Sequence, residues 1–306
     1  MKKTCYLLMI LCCISITNLD AARKKAKHVV MIGIDGWAAE GVRQAAPEDI
    51  PNIKYLMDNG SWTLAKRSVM PSASAINWAS MFNGLPTEMH GFDKWNSTKG
   101  TIPSTSDNGR GIPPTIYTVL RQQYPDAETG IIYDWDGVGA VCDKESASYE
   151  KYINTYHGNT NMTLEEYTGN GVAYIKEKKP FFFTLYYGIL DNTGHNKGWY
   201  SPEYMQVQKD LDANIGIVIQ ALKDAGIFED TVIIVSSDHG GKGKGHGKFT
   251  LQELETPFIV YGKKIKKGHE ITQPMMQYDT PAIIADILGA KIPEDWRGRA
   301  FKQIYK

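Results

Sequence analysis

Cysteine is almost missing from the body of this 306-residue chain, since three of its four cysteines, Cys5, Cys12 and Cys13, fall in the first 22 residues. Those residues read as a secretory signal: Lys2 and Lys3, an apolar run over 6–16, then the small pair Ala21 and Ala22. Once the signal is removed Cys142 stands alone, which excludes an internal disulfide and any cysteine-based zinc site. Cys142 is expected to be a small buried apolar residue. Net charge is also missing: Lys and Arg total 34, as do Asp and Glu, and loss of Lys2, Lys3 and Asp20 with the signal leaves about −1. Such a chain has no global field to hold a nucleic-acid duplex. The run over 6–16 is too short to span a bilayer, and no second long apolar segment follows, so a soluble, secreted or periplasmic protein without a transmembrane segment is expected. Repeats and low-complexity tracts are absent as well. Residues 93–114, rich in Gly, Ser, Thr and Pro, read as a long loop.

What is present is a regular alternation. Apolar runs at 28–34, 131–133, 181–187, 231–236 and 257–261 read as buried strands. Helical patterns lie between them at 52–57, 115–123, 165–178, 202–225 and 281–288. The clearest carries Val207, Leu211, Ile215, Val218 and Leu222 on one stripe and is closed by Gly226. Buried strands alternating with helices predict an α/β domain with a mostly parallel central sheet and helices on both faces. In such sheets ligands bind beyond the carboxyl ends of the strands, which makes the residues following each strand informative. Asp35-Gly36 follows the first strand. Asp191 and His195 follow the 181–187 run, and Asp238-His239-Gly240 follows the 231–236 run, with His246 seven residues past His239. Aspartate oxygen and imidazole nitrogen together suit zinc better than magnesium or calcium. Two such ions close together are a recurrent means of phosphoryl transfer.

One further stretch, "MPSASAINWASMFNGLPTEMHG" at 70–91, turns from loop to helix at its serines. Gly84 and Pro86 mark the end of that helix. A serine there is either a helix cap or a nucleophile; the local pattern leaves both open. Lys242, Lys244 and Lys248, among glycines, are either a mobile loop meeting the substrate or a solvated one. Trp95 and Trp135 are candidates to line a substrate groove, and His90 to make a structural hydrogen bond.

The set "IGIDG" (32–36), "PSASAINWASMFNGLPTEMHG" (71–91), "DNTGH" (191–195), "SDHG" (237–240) and "GHG" (245–247) resembles the alkaline phosphatase superfamily, and within it the nucleotide pyrophosphatase/phosphodiesterase branch. The resemblance implies an alkaline-phosphatase-like catalytic domain over 26–306 with two zinc ions. Asp35, Asp238, His239 and Ser74 would hold one, and Asp191, His195 and His246 the other. It makes Ser74 the nucleophile, leaves Ser72 as a cap or loop residue, and has Asn77 steady a phosphoryl oxygen. Three departures bear on the reaction. The nucleophile position carries Ser where phosphodiesterases more often have Thr, and Ala73 precedes it where the phosphatase branch has Asp. No arginine matches the phosphatase branch's clamp. Ser74 is followed by Ala75-Ile76-Asn77-Trp78 and not by the x-Pro-x-Arg that sulfatases need, which argues against a sulfatase. The implied activity is hydrolysis of a small phosphodiester or pyrophosphate through a phosphoseryl intermediate, with a phosphomonoesterase or a non-catalytic metal-binding module as alternatives.

Overall fold

Eight strands form one sheet in the computed structural model, which describes residues 24–156 and 161–306; the signal segment at 1–22 lies outside the described residues. The strands are β1 (His28–Ile34), β2 (Ser61–Arg67), β3 (Thr129–Tyr133), β4 (Tyr149–Tyr152), β5 (Phe182–Tyr187), β6 (Thr231–Ser236), β7 (Glu255–Tyr261) and β8 (His269–Glu270). Their spatial order is β4-β3-β5-β1-β6-β7-β2-β8. Pairing is parallel except along β7, which runs antiparallel to β6 and β2. The longer helices are α1 (Pro51–Asn59), α2 (Ser74–Asn83), α3 (Ile116–Gln123), α4 (Leu164–Lys178), α5 (Ile189–Lys197), α6 (Pro202–Asp224) and α7 (Asp279–Leu288). No helix among the described residues is long and apolar enough to cross a membrane.

The central strands are buried on both faces, as their unbroken apolar runs predict. In β1, Val29 and Met31 enter one core with α2, α3 and α7, while Val30, Ile32 and Ile34 enter the other with α1, α4 and α6. Strands β2, β4 and β8 escaped the sequence reading. β2 carries Lys66 and Arg67, β4 is an edge strand of alternating exposure, and β8 has two residues.

Helix α2 begins at Ser74 and ends where Gly84 takes a left-handed conformation (φ 69°) that Cβ-bearing residues avoid. Its cap position is Ala73, with no side-chain cap. Ser72 is therefore a loop residue: its Oγ donates to the Lys248 carbonyl and accepts from the Gly247 N–H. Cys142 is fully buried, as expected.

Candidate metal and nucleophile site

The carboxyl ends of β1, β5 and β6 bring their following residues to one point. Parallel pairing of β1 with both β5 and β6 makes this inevitable, because the three strands end side by side. Asp35 leaves β1 directly and is buried. Gly36 after it has φ 67°, and a Cβ there would lie 2.9 Å from Asp191, so the Asp-Gly pair permits a close approach of the two strand ends.

Asp35 divides its two oxygens. Oδ2 accepts from Trp78 Nε1 at 2.8 Å and from the Tyr186 hydroxyl at 2.5 Å. Oδ1 faces Ser74 Oγ and His239 Nε2, each at 3.4 Å. Asp238 does the same. Its Oδ1 accepts from the Gly36 N–H, while Oδ2 lies 3.2 Å from His239 Nε2 with no hydrogen-bond donor. Asp191, on α5, accepts from the Tyr156 hydroxyl at Oδ2, and its buried Oδ1 has no donor. That oxygen lies 3.7 Å from His246 Nε2 and 4.0 Å from His239 Nε2.

The histidines are oriented in a matching way. Nδ1 of His239 meets the Gly240 carbonyl at 2.8 Å, Nδ1 of His246 the Ser72 carbonyl at 2.8 Å, and Nδ1 of His195 the Lys244 carbonyl at 3.1 Å. A carbonyl only accepts, so each Nδ1 carries a proton, which leaves Nε2 of a neutral ring with a lone pair. Burial pushes His239 and His246 down to about 3, which keeps both rings neutral at physiological pH. His195 Nε2 and His246 Nε2 stand 3.1 Å apart, with both Nδ1 atoms already committed to carbonyls. The carboxylates are crowded as well. Burial first, then the charges of Asp238 and Asp191, hold Asp35 well above its usual range; burial and Asp191 do so for Asp238. Buried carboxylates crowded together and donorless carboxylate oxygens beside neutral imidazoles call for cations in their midst. Two groups have ligand atoms close enough to hold one: Asp35, Asp238 and His239, and Asp191, His239 and His246. His195 stands at the outer edge of the second, its Nε2 3.5 Å from Asp191 Oδ2.

Ser74 lies beside this cluster, its Oγ 3.1 Å from His239 Nε2, at the first residue of α2. Seven expected residues thus converge: Asp35, Ser74, Asp191, His195, Asp238, His239 and His246. Asn77 does not. Its side chain is wholly buried and spent on backbone: Oδ1 accepts from the Val69 N–H at 2.7 Å, and Nδ2 donates to the carbonyls of Val69, Pro71 and Ala73. The expectation that Asn77 steadies a phosphoryl oxygen is corrected accordingly; it braces the loop that presents Ser74. His90 is structural, bonding Ser80 Oγ and accepting from the Phe92 N–H.

Over Ser74 opens a cavity of about 580 Å³ whose lining includes Asp35, Asp191, His195 and His246 of the cluster together with Lys94, Trp95, Trp135 and Tyr156. Trp95 and Trp135 face each other with ring centres 6.5 Å apart and planes 18° from parallel. The lysines at 242, 244 and 248 do not line it. Their loop contributes backbone, to His195, Trp199 and Ser72. Sequence reasoning missed Lys94, Tyr156, Tyr186 and Trp78, since none stands in a strand-end motif whose spacing signals chemistry.

Sheet order, strand-end cluster and flanking helices define an alkaline-phosphatase-like α/β protein. A family model described as type I phosphodiesterase / nucleotide pyrophosphatase matches residues 29–254, and the chain belongs to that family. Venom phosphodiesterase from Crotalus durissus collilineatus is 26% identical over 224 residues, covering 69% of this chain and 26% of that protein. Mouse bis(5'-adenosyl)-triphosphatase enpp4 is 24% identical over 232 residues, covering 72% of this chain and 48% of its relative. The chain therefore spans between a quarter and a half of the length of these relatives. Among solved structures, murine ectonucleotide pyrophosphatase / phosphodiesterase 5 in complex with AMP superposes with a TM-score of 0.71 at 16% identity, covering 88% of this chain and 97% of that one. A 2-O GAG sulfatase shares the fold with a TM-score of 0.69 at 12% identity, covering 90% of this chain and 73% of that one.

Proposed function

We propose that this chain is a secreted or periplasmic hydrolase of small phosphodiesters or pyrophosphates, dependent on two zinc ions and working through a phosphoseryl intermediate on Ser74. The observation that carries the reading is the pair of donorless buried oxygens, Asp191 Oδ1 and Asp238 Oδ2, beside imidazole lone pairs and the Ser74 hydroxyl. Neutral imidazoles with carboxylate oxygens are a zinc donor set. Asp35, Asp238, His239 and Ser74 would hold one ion, and Asp191, His195 and His246 the other, with His239 bordering both. Bound zinc supplies Lewis acidity, lowering the pKa of an oxygen ligand and neutralising charge on a phosphoryl group.

The chain's own residues do the rest. Ser74 Oγ gives up its proton to solvent and bonds to phosphorus, while the ester or anhydride oxygen opposite leaves with the bonding electrons; water then adds its oxygen to phosphorus and returns a proton to Ser74 Oγ, releasing the phosphoryl group. Asn77 holds the 69–73 loop so that Ser74 meets phosphorus in line, and the α2 N-terminus favours the incoming anion. The cavity gives an ester arm room, and Trp95 and Trp135 supply an apolar wall. A metal-binding module without catalysis has no need of a serine hydroxyl directed at the cluster. The test combines elemental analysis of the purified protein with turnover of nitrophenyl phosphate esters. Two zinc ions per chain, with turnover abolished by chelation and by Ser74→Ala, are expected. Absence of bound zinc together with absence of zinc-restored activity refutes the reading.

A further inference from the structure

We propose that Lys94 is a substrate-binding residue that meets an anionic oxygen beyond the single charge of a plain diester, so that the site favours phosphoanhydrides or phosphomonoesters. This rests on the phosphohydrolase reading and names the substrate charge within it.

Five observations carry it. Asn77, the side chain expected at the phosphoryl oxygens, has no capacity left for a ligand. Among the described residues lining the cavity, Lys94 is the sole lysine or arginine; Asp35, Asp93 and Asp191 supply the fixed charges of opposite sign. The backbone around Lys94 is pinned beside the nucleophile, because the Trp95 carbonyl accepts the Ala75 N–H at 3.0 Å, one residue past Ser74. A turn closed by Ser97 fixes the Lys94 backbone: Ser97 Oγ accepts the Lys94 N–H at 3.0 Å, and the Ser97 N–H returns to the Lys94 carbonyl at 3.2 Å. Finally, no carboxylate among the described residues pairs with the Lys94 ammonium. Its neighbour Asp93 accepts instead from Thr101 Oγ1. An exposed lysine is ordinarily just solvated. A lysine on a braced turn, lining an otherwise acidic cavity beside the nucleophile, is a point charge placed for an anion.

The extra charge has two sources, the second phosphate of an anhydride or the outer oxygen of a monoester dianion. The zinc-loaded protein and its Lys94→Ala and Lys94→Arg variants are compared by kcat/KM on ATP, a nitrophenyl monoester and a bis-nitrophenyl diester. Lys94→Ala is expected to lose about tenfold or more on ATP, on the monoester or on both, against roughly twofold on the diester, with Lys94→Arg retaining most of the rate. Loss on ATP alone assigns the charge to a second phosphate; loss extending to the monoester assigns it to an outer oxygen. Equal losses on all three substrates, or none, overturn the proposal. A binding arm uses calorimetry with inorganic pyrophosphate on Ser74→Ala. Its Kd should rise about tenfold on adding Lys94→Ala and stay unchanged on adding Lys242→Ala and Lys244→Ala. Absence of pyrophosphate binding, or an unchanged Kd without Lys94, also overturns it. If the wild type turns over none of the three substrates, the hydrolase reading falls, while the calorimetry still reports on Lys94.

Discussion

The floor and the mouth of the site are built by different means. The floor, Asp35, Asp238 and His239, sits on the ends of β1 and β6, fully buried, with every unshared atom of its side chains aimed at the cluster. The mouth, with Lys94 and Trp95, is carried by a segment outside the sheet, and Trp95 is 55% exposed. Sheet hydrogen bonds and burial leave the floor one arrangement, so it is suited to holding ions in fixed relation. The mouth is held by a few backbone contacts and can vary without disturbing the sheet. The rigid floor is suited to holding the reacting centre, and the variable mouth to choosing the substrate.

The comparison is broken most sharply from the floor. His239→Ala removes the imidazole that borders both cation positions and leaves Asp35 and Asp238 as buried carboxylates without it. Zinc content should fall below two per chain, and activity should drop by about a thousandfold or more. Full zinc and near-normal turnover would show the site to be elsewhere. Tyr156→Phe tests one step further out. It deletes the hydroxyl that orients Asp191 while keeping the ring. Zinc affinity, measured by chelator competition, should weaken about tenfold. An unchanged affinity would mean that α5 alone aims the carboxylate.

Asn77→Ala separates bracing from direct contact. Removal of an amide that serves four buried backbone bonds should cost about 2–3 kcal/mol, seen as a lowered Tm, with zinc still bound. Lost turnover at unchanged Tm would instead return Asn77 to the substrate. The smallest effect is expected at the mouth: Trp95→Ala should raise KM for aromatic esters by roughly fivefold, with little change in kcat or Tm. A collapse of kcat there would erase the division between floor and mouth.

How much of this was legible in the chain follows the same line. Strands β1, β5 and β6 were read within a residue of their observed bounds, because continuous apolar runs and the charged residues ending them leave no other reading. Strand β2 was missed because its Lys66, buried against Ser236, breaks the pattern that marks a strand. Ser72 was open between cap and loop, and nothing local predicts that its hydroxyl fastens residue 248. Asn77 was misread because its position suggested a ligand contact; only the fold shows that the Val69, Pro71 and Ala73 backbone surrounds it. Lys94 drew no attention, since a lysine in a polar loop is common and carries no periodic signal.

Local patterns in the chain suffice for the α/β layer and for Asp35, Asp191, His195, Asp238, His239 and His246 following its strands. Hydrophobic periodicity is a local property, and strand ends are where such a sheet gathers its ligands. The packing of separate segments sets the rest: Asp191 Oδ1 and Asp238 Oδ2 lack donors, His195 and His246 bring their Nε2 atoms to 3.1 Å, and the segment carrying Lys94 comes beside the start of α2. The first two depend on groups far apart in the chain, as in the bond from His246 Nδ1 to the Ser72 carbonyl, 174 residues away. Orientation and charge balance at that range are set by how the strands and loops pack together, which no local pattern records.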